Sequence, residues 1–177
     1  MIVMPNGTAK VGLCADVAQG TESLDGVDRI IFLDIDGVLN ALGTKNRSED
    51  GTRFVDPERV SILNRILKAT DASIVLSSSW RKPRHRKGFN ALVRKGGIDG
   101  WKKRFVGSTP MNVRLSDWRG AEIGAWLENN GYQGRYAIID DDASGMAPFK
   151  KNFFKTNDIY GLTDEIADKV IQHLGAI

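Results

Sequence analysis

The residues best placed to do chemistry are Asp34 and Asp36, delivered by the run Arg29-Ile30-Ile31-Phe32-Leu33-Asp34-Ile35-Asp36-Gly37-Val38-Leu39-Asn40. Side chains alternate along a strand, so this spacing puts Asp34 and Asp36 on one face and Ile35 on the other. Two carboxylates that close repel unless a cation or a proton intervenes, and a divalent metal is the simplest resolution. Two further apolar runs also end in polar groups: Ala72 to Leu76 leads into Ser77-Ser78-Ser79, and Tyr136 to Ile139 leads into Asp140-Asp141-Asp142. Parallel strands end on one edge of their sheet, so these groups converge despite their separation in sequence. With oxygen ligands on offer and no clustered cysteine or histidine, a hard cation such as Mg²⁺ is preferred, one that keeps waters and binds substrate phosphate. The chemistry that fits is phosphoryl transfer. A carboxylate attacks phosphorus, a second acid protonates the leaving oxygen, and a serine hydroxyl with a cation holds the equatorial oxygens.

The elements that must position these groups are legible in the apolar spacing. Ile30 to Leu33 is a continuous apolar run, the mark of a strand covered on both faces. Asp56-Pro57 opens a helix, with Asp as N-cap and Pro at the first helical position, and Val60, Leu63 and Leu67 line one face that Ile62 and Ile66 widen. A helix is predicted over Lys87 to Lys95 and a short strand over Arg104 to Val106. Ser116-Asp117 is expected to cap a helix carrying Ile123, Trp126 and Leu127, and Phe153-Phe154 reads as a last short strand. Thr163 is expected to cap a final helix with Ile166, Val170, Ile171 and Leu174 facing inward. Strands alternating with amphipathic helices predict an open, mainly parallel α/β sheet with helices on both faces, and such sheets bind ligands beyond the carboxyl ends of their strands.

Asp34-Ile35-Asp36-Gly37-Val38-Leu39-Asn40 resembles the first motif of the haloacid dehalogenase superfamily of phosphatases. The other motifs follow in order: Ile74 to Arg81 resembles the second, Arg119 the third-motif cation, and Ile138-Ile139-Asp140-Asp141-Asp142 the fourth. The resemblance spans roughly residues 29 to 175 and implies a Rossmann-like α/β fold. It further implies Asp34 as nucleophile, Asp36 as general acid and then base, and Mg²⁺ held by Asp34, the main-chain carbonyl of Asp36 and a fourth-motif aspartate. The second-motif hydroxyl is Ser77 or Ser78, the further metal ligand is Asp140 or Asp141, and Arg114 competes with Arg119 for the third-motif role. Leu-Ser-Ser-Ser-Trp-Arg, the Arg119 to Leu127 helix and the triple aspartate are similar to a narrower group, the phosphatase-like domains of nucleic-acid repair proteins and polynucleotide 3'-phosphatases.

The 177 residues, 41% hydrophobic and 27% charged, suit one domain with its own core. Residues 1–28 read as a leader of uncertain order and 29–177 as the phosphatase domain. No apolar run reaches the ~20 residues of a membrane span. The one cysteine, Cys14, excludes an intrachain disulfide and a multi-cysteine zinc site and fits a reducing, cytoplasmic setting. Phosphatases of the superfamily usually carry a cap domain after the first motif or between the second and third. Here neither interval suffices for an independent domain of ~50 residues, so no full cap is expected and the open site suits a macromolecular end. A net charge of +3 says little, but its placement says more. Arg81, Arg84 and Arg86 leave the same strand edge as the acids and, with Arg114, are candidate contacts to a phosphodiester backbone. Trp101-Lys102-Lys103-Arg104 is a second basic cluster, and Trp80, Trp101 and Trp118 are candidates for base stacking.

Plainer readings stand beside these. Asp36-Gly37 between apolar runs also occurs in hairpin turns, a basic run is often a solvated helix start, Trp126 reads as core, and His85 and His173 read as surface. The leading expectation is a Mg²⁺-dependent phosphomonoesterase that forms an aspartyl-phosphate and acts on a DNA or RNA 3'-phosphate end. Its rivals are a nucleotidase or small-metabolite phosphatase, and a binding module for phosphorylated ends that does not turn over. Oligomeric state is not legible.

Overall fold

A computed structural model describes residues 24–44, 55–82, 88, 90, 92, 96–111 and 119–177. Among the described residues five strands form one sheet: β1 (Arg29–Leu33), β2 (Ser73–Leu76), β3 (Phe105–Ser108), β4 (Arg135–Asp140) and β5 (Phe153–Lys155). Their order is β3-β2-β1-β4-β5 and every pairing is parallel. Among the described residues the α-helices with defined bounds are α1 (Pro57–Thr70), the short α2 (Trp101–Arg104), α3 (Arg119–Asn129) and α4 (Asp164–Leu174).

β1 is the central strand, which is why its sequence is an unbroken apolar run: Ile30 to Leu33 are all fully buried. Alternation splits them between two cores. Ile31 and Leu33 pack in the same core as Leu63, Ile66 and Leu67 of α1 and Val170 and Leu174 of α4. Ile30 and Phe32 pack on the other face with Ile123 and Trp126 of α3, Phe32 meeting the Trp126 ring edge-on at 5.3 Å. Leu24 and Val27 join this second core, so packing reaches back before Arg29.

Helix ends follow the expected chemistry. Asp56 caps α1 by accepting from the Glu58 N–H at 3.0 Å with Pro57 next in line, and Thr163 accepts from the Ile166 N–H at the start of α4. At the far end of α4 the guanidinium groups of Arg29 and Arg135 donate to the Leu174 carbonyl, supplying cations where the helix dipole is negative. Of the expected inward residues on α4, Val170 and Leu174 are buried, and Ile166 and Ile171 pack partly buried against the same core.

Three expectations change. Arg104 ends α2 rather than opening a strand: its guanidinium donates to the Ala72 carbonyl and pairs with Asp71 at 2.9 Å, and β3 runs from Phe105. His173 is not a surface residue, since it is half-buried with Nε2 donating to the Tyr136 carbonyl at 3.0 Å. Of the helix expected over 87–95, Gly88, Asn90 and Leu92 are helical and the rest lies outside the described residues, as do Cys14, His85 and the Ser116-Asp117 cap. Among the described residues no helix is long and apolar enough to cross a membrane.

Candidate active site

Strand order places the site. From β1 the chain builds β2 and β3 on one side and then returns to build β4 and β5 on the other, so β1 and β4 flank the point where the winding reverses. A crevice opens beyond the carboxyl ends of the strands at such a point. The register pairs Leu33 with Leu76 on one side and with Ile139 on the other. One residue further on, Asp34 therefore stands between Ser77 and Asp140. The Asp34 N–H donates to the Ile139 carbonyl at 3.1 Å, and the Ser77 N–H to the Leu33 carbonyl at 2.9 Å.

Asp34, Asp140 and Asp141 offer carboxylate oxygens that all lie within 4.8 Å of one another. Asp34 and Asp140 are 3% and 0% exposed, burial no unpaired carboxylate tolerates without cost. Burial pushes Asp34 up from 3.8 to about 6 against the opposing pull of Arg119 and a hydrogen bond from Ser78. Burial and the charge of Asp34 push Asp140 up to about 8. Asp34 Oδ1, Asp140 Oδ2 and Ser77 Oγ are buried without a hydrogen-bond partner, each with acceptor capacity to spare. An all-oxygen donor set with unfilled lone pairs, held this tightly, fits a hard divalent cation.

Asp36 does not join this group, which corrects the expectation that four carboxylates converge. β1 has ended by then, and the chain turns so that the N–H groups of Val38, Leu39 and Asn40 point at the Ile35 carbonyl. One Asp36 oxygen accepts from Asn40 Nδ2 at 2.9 Å and the other from Trp80 Nε1 at 3.0 Å. Trp80 is thus buried and holds Asp36, and Trp101 is buried and stacked on Phe105, so neither is free to stack on a base. Trp126 is core, as expected.

Arg119, at the start of α3, lies over the acids. Its Nε is 3.0 Å from Asp140 Oδ2 and a terminal nitrogen is 3.6 Å from Asp34 Oδ1. The Nε–H is not aimed at the carboxylate, so this is an ion pair without an aligned hydrogen bond. Burial opposes the Arg119 charge, but Asp34, Asp140 and Glu122 outweigh it and push the guanidinium pKa up. Gly120, next in the helix, lets α3 approach this closely: a Cβ there would lie 2.0 Å from the Gly145 carbonyl oxygen. Arg81 is buried beneath, donating to the Ser77 and Ser78 carbonyls at 3.0 and 2.6 Å and pairing with Glu122 at 2.5 Å. A cleft lined by Ser79, Arg81, Lys82, Arg119, Glu122 and Asp142 opens beside the acids.

Ser78 also accepts from the Trp80 N–H, whereas the Ser77 hydroxyl stays unpartnered. Asp142 is exposed, spending its side chain on the Ser144 N–H at 2.8 Å. Arg84, Arg86, Arg114 and Trp118 lie outside the described residues. Lys102, Lys103 and Arg104 sit before β3, at the opposite edge of the sheet from Asp34. Sequence reasoning missed Glu122, Trp80 as a partner of Asp36, and Thr109, which follows β3 and is buried with an unpartnered hydroxyl. Thr109 carried a signal, since it follows a strand as Ser77 does, whereas Glu122 looks like any polar helix residue.

No curated protein matches the chain. Residues 30–167 match the family described as the HAD domain in Swiss Army Knife RNA repair proteins. The five-stranded parallel sheet with helices on both faces is the Rossmann-like fold of haloacid dehalogenase hydrolases, and the chain belongs to this family of HAD-type phosphatase domains.

Proposed function

We propose that the protein is a Mg²⁺-dependent phosphomonoesterase that works through an aspartyl-phosphate on Asp34 and removes the 3'-phosphate from a nucleic-acid end. The observation that carries this reading is the convergence of Asp34, Asp140 and Asp141, with unfilled oxygens on Asp34 and Asp140, beneath Arg119 and beside Ser77. Asp34, Asp140, Asp141 and the Asp36 main-chain carbonyl would hold Mg²⁺, which when bound would supply the charge neutralisation that lets a carboxylate approach an anionic phosphate.

In this mechanism Asp34 attacks phosphorus as the bond to the leaving oxygen breaks, and Asp36 gives that oxygen its proton. Asp36 then takes a proton from the water that attacks the phosphorus, which releases phosphate and restores the Asp34 carboxylate. The Asn40 and Trp80 donors aim Asp36 while each of its oxygens keeps a further acceptor position. Arg119 and the hydroxyl of Ser77 or Ser78 hold the equatorial oxygens. Arg84, Arg86 and Arg114 are the basic side chains we assign to the phosphodiester backbone, with Arg81 serving the site from inside. An RNA end is favoured over DNA by the repair context of the family, and the lone cysteine fits a cytoplasmic setting.

The test is phosphate release from 3'- and 5'-phosphorylated RNA and DNA oligonucleotides, mononucleotides and sugar phosphates, with and without Mg²⁺. Turnover is expected to be highest on 3'-phosphorylated oligonucleotides and absent from Asp34→Asn. Equal kcat/KM on mononucleotides would favour a nucleotidase. Binding of 3'-phosphorylated ends with no turnover of any substrate would favour a binding module.

A further inference from the structure

Glu122 has no part in the chemistry above, yet its placement is costly. Its side chain is only 14% exposed, one turn along α3 from Arg119, and Oε2 takes both a terminal nitrogen of Arg81 at 2.5 Å and one of Arg119 at 4.0 Å. Arg81 and Arg119 are themselves 3% and 14% exposed, so two guanidinium groups are packed together in low dielectric with this carboxylate between them. Arg81 is anchored at its other nitrogen by the Ser77 and Ser78 carbonyls, which makes Glu122 a pinned carboxylate rather than a mobile one.

Arg119 thus touches three acids that differ in kind. Asp34 and Asp140 belong to the group of oxygens suited to a cation, and Glu122 does not. A dication seated on the three aspartates offsets two of their three charges and uses the lone pairs that now face Arg119, so their hold on the guanidinium weakens. The hold of Glu122 does not. We propose that Glu122, pinned by Arg81, is the positioning residue that retains Arg119 beside the cleft when a cation occupies the aspartates. Without it Arg119 rests on Asp34 and Asp140 alone and competes with the cation for them. This rests on the reading of Asp34, Asp140 and Asp141 as a cation site.

The test is a double-mutant cycle between Glu122 and Arg119, with Mn²⁺ affinity of the metal-free protein measured by calorimetry as the main readout. Turnover of p-nitrophenyl phosphate and the thermal midpoint are followed alongside. Glu122→Gln keeps the shape and an acceptor for Arg81, and it is expected to weaken Mn²⁺ binding at least about twofold, the lower end of coupling between contacting residues, and to lower kcat more than it raises KM. In an Arg119→Met background the same substitution is expected to change Mn²⁺ affinity less than about twofold, since neighbours that do not couple add closely. An equal loss in both backgrounds, or no loss in either, overturns the proposal, because Glu122 would then act through the general field or not at all. Should Glu122→Gln fail to fold with Arg81 left unpaired, the pair Arg81→Met with Glu122→Met removes both charges together. It enters the same comparison with and without Arg119→Met. A wild-type protein that takes up no Mn²⁺ would overturn the cation-site reading itself, a result visible before any variant is made.

Discussion

Replacing Gly37 by alanine is expected to damage the cation site more than the fold. Gly37 has φ +71, a left-handed conformation that costs a residue with a Cβ about 1–2 kcal/mol. For a chain of this size such a loss lowers the thermal midpoint by about 2–8 °C. The larger effect is local. A Cβ at Gly37 would lie 2.4 Å from both Cγ and Oδ2 of Asp141 and 2.9 Å from its Cβ, so turning the short side chain alone does not clear it. The backbone cannot easily yield, because Thr156 clamps both sides: its hydroxyl donates to the Gly37 carbonyl at 2.8 Å and its N–H to the Asp140 carbonyl at 3.0 Å. Asp141 must therefore leave the cluster. Loss of even an outer partner of a metal site costs about 10–100-fold in affinity, so Gly37→Ala is expected to lose at least about tenfold in Mn²⁺ affinity. That factor is about 1.4 kcal/mol of metal-linked stabilisation at saturating Mn²⁺. Calorimetry with Mn²⁺ and melting curves in EDTA and in Mn²⁺ read the two effects separately. Because one displacement underlies both, Gly37→Ala and Asp141→Ala should be non-additive. Wild-type Mn²⁺ affinity in Gly37→Ala, or simple additivity with Asp141→Ala, would refute the reasoning.

Three other outcomes follow from the same geometry. In EDTA, stability should fall as pH rises through about 6 and then about 8: the folded state holds protons on Asp34 and Asp140 that the unfolded chain releases near 3.8, so this contribution is complete below that value and lost above the folded values. Urea midpoints at pH 5.5 and 8.5 check this, with saturating Mn²⁺ reducing or reversing the difference, and a higher midpoint at pH 8.5 in EDTA would contradict it. Phe32→Ala, at a fully buried position edge-on to Trp126 and Tyr136, should cost about 3–5 kcal/mol in urea unfolding. Tyr160, the exposed aromatic among the described residues, lies with Leu42 and Ile159 on loops tied to the turn that follows Asp34 through Leu162 N–H and the Val38 carbonyl. If a terminal base stacks there, Tyr160→Ala should weaken binding of 3'-phosphorylated oligonucleotides by about 1–3 kcal/mol and leave p-nitrophenyl phosphate kinetics unchanged.

Much of the fold could be read from the chain because the relevant signals are local. The run Ile30 to Leu33 announces a strand covered on both faces, Asp56-Pro57 and Thr163 announce helix starts, and the structure has all three. His173 reads as surface because a basic side chain looks solvated in sequence, but a strand carbonyl such as that of Tyr136 is a strong acceptor that draws it inward. A tryptophan beside basic residues, as Trp80 is, suggests a stacking platform for nucleic acid, and nothing local shows that its indole N–H meets an aspartate 44 residues away.

The acids themselves show the same division. Residue types and strand-end positions determine that Asp34, Ser77 and Asp140 share one edge, since parallel strands leave no other arrangement. Sequence also sets the i, i+2 spacing of Asp34 and Asp36, and from it two carboxylates on one face follow only while the chain stays extended. Tertiary structure decided that it does not. The turn capped on the Ile35 carbonyl, with Asn40 and Trp80 as donors, takes Asp36 out of the cluster, while the pairing of β1 with β4 brings Asp140 and Asp141 in. Which carboxylates meet depends on strand order and on donors far away in the chain, and both are properties of packing that no local window of sequence contains.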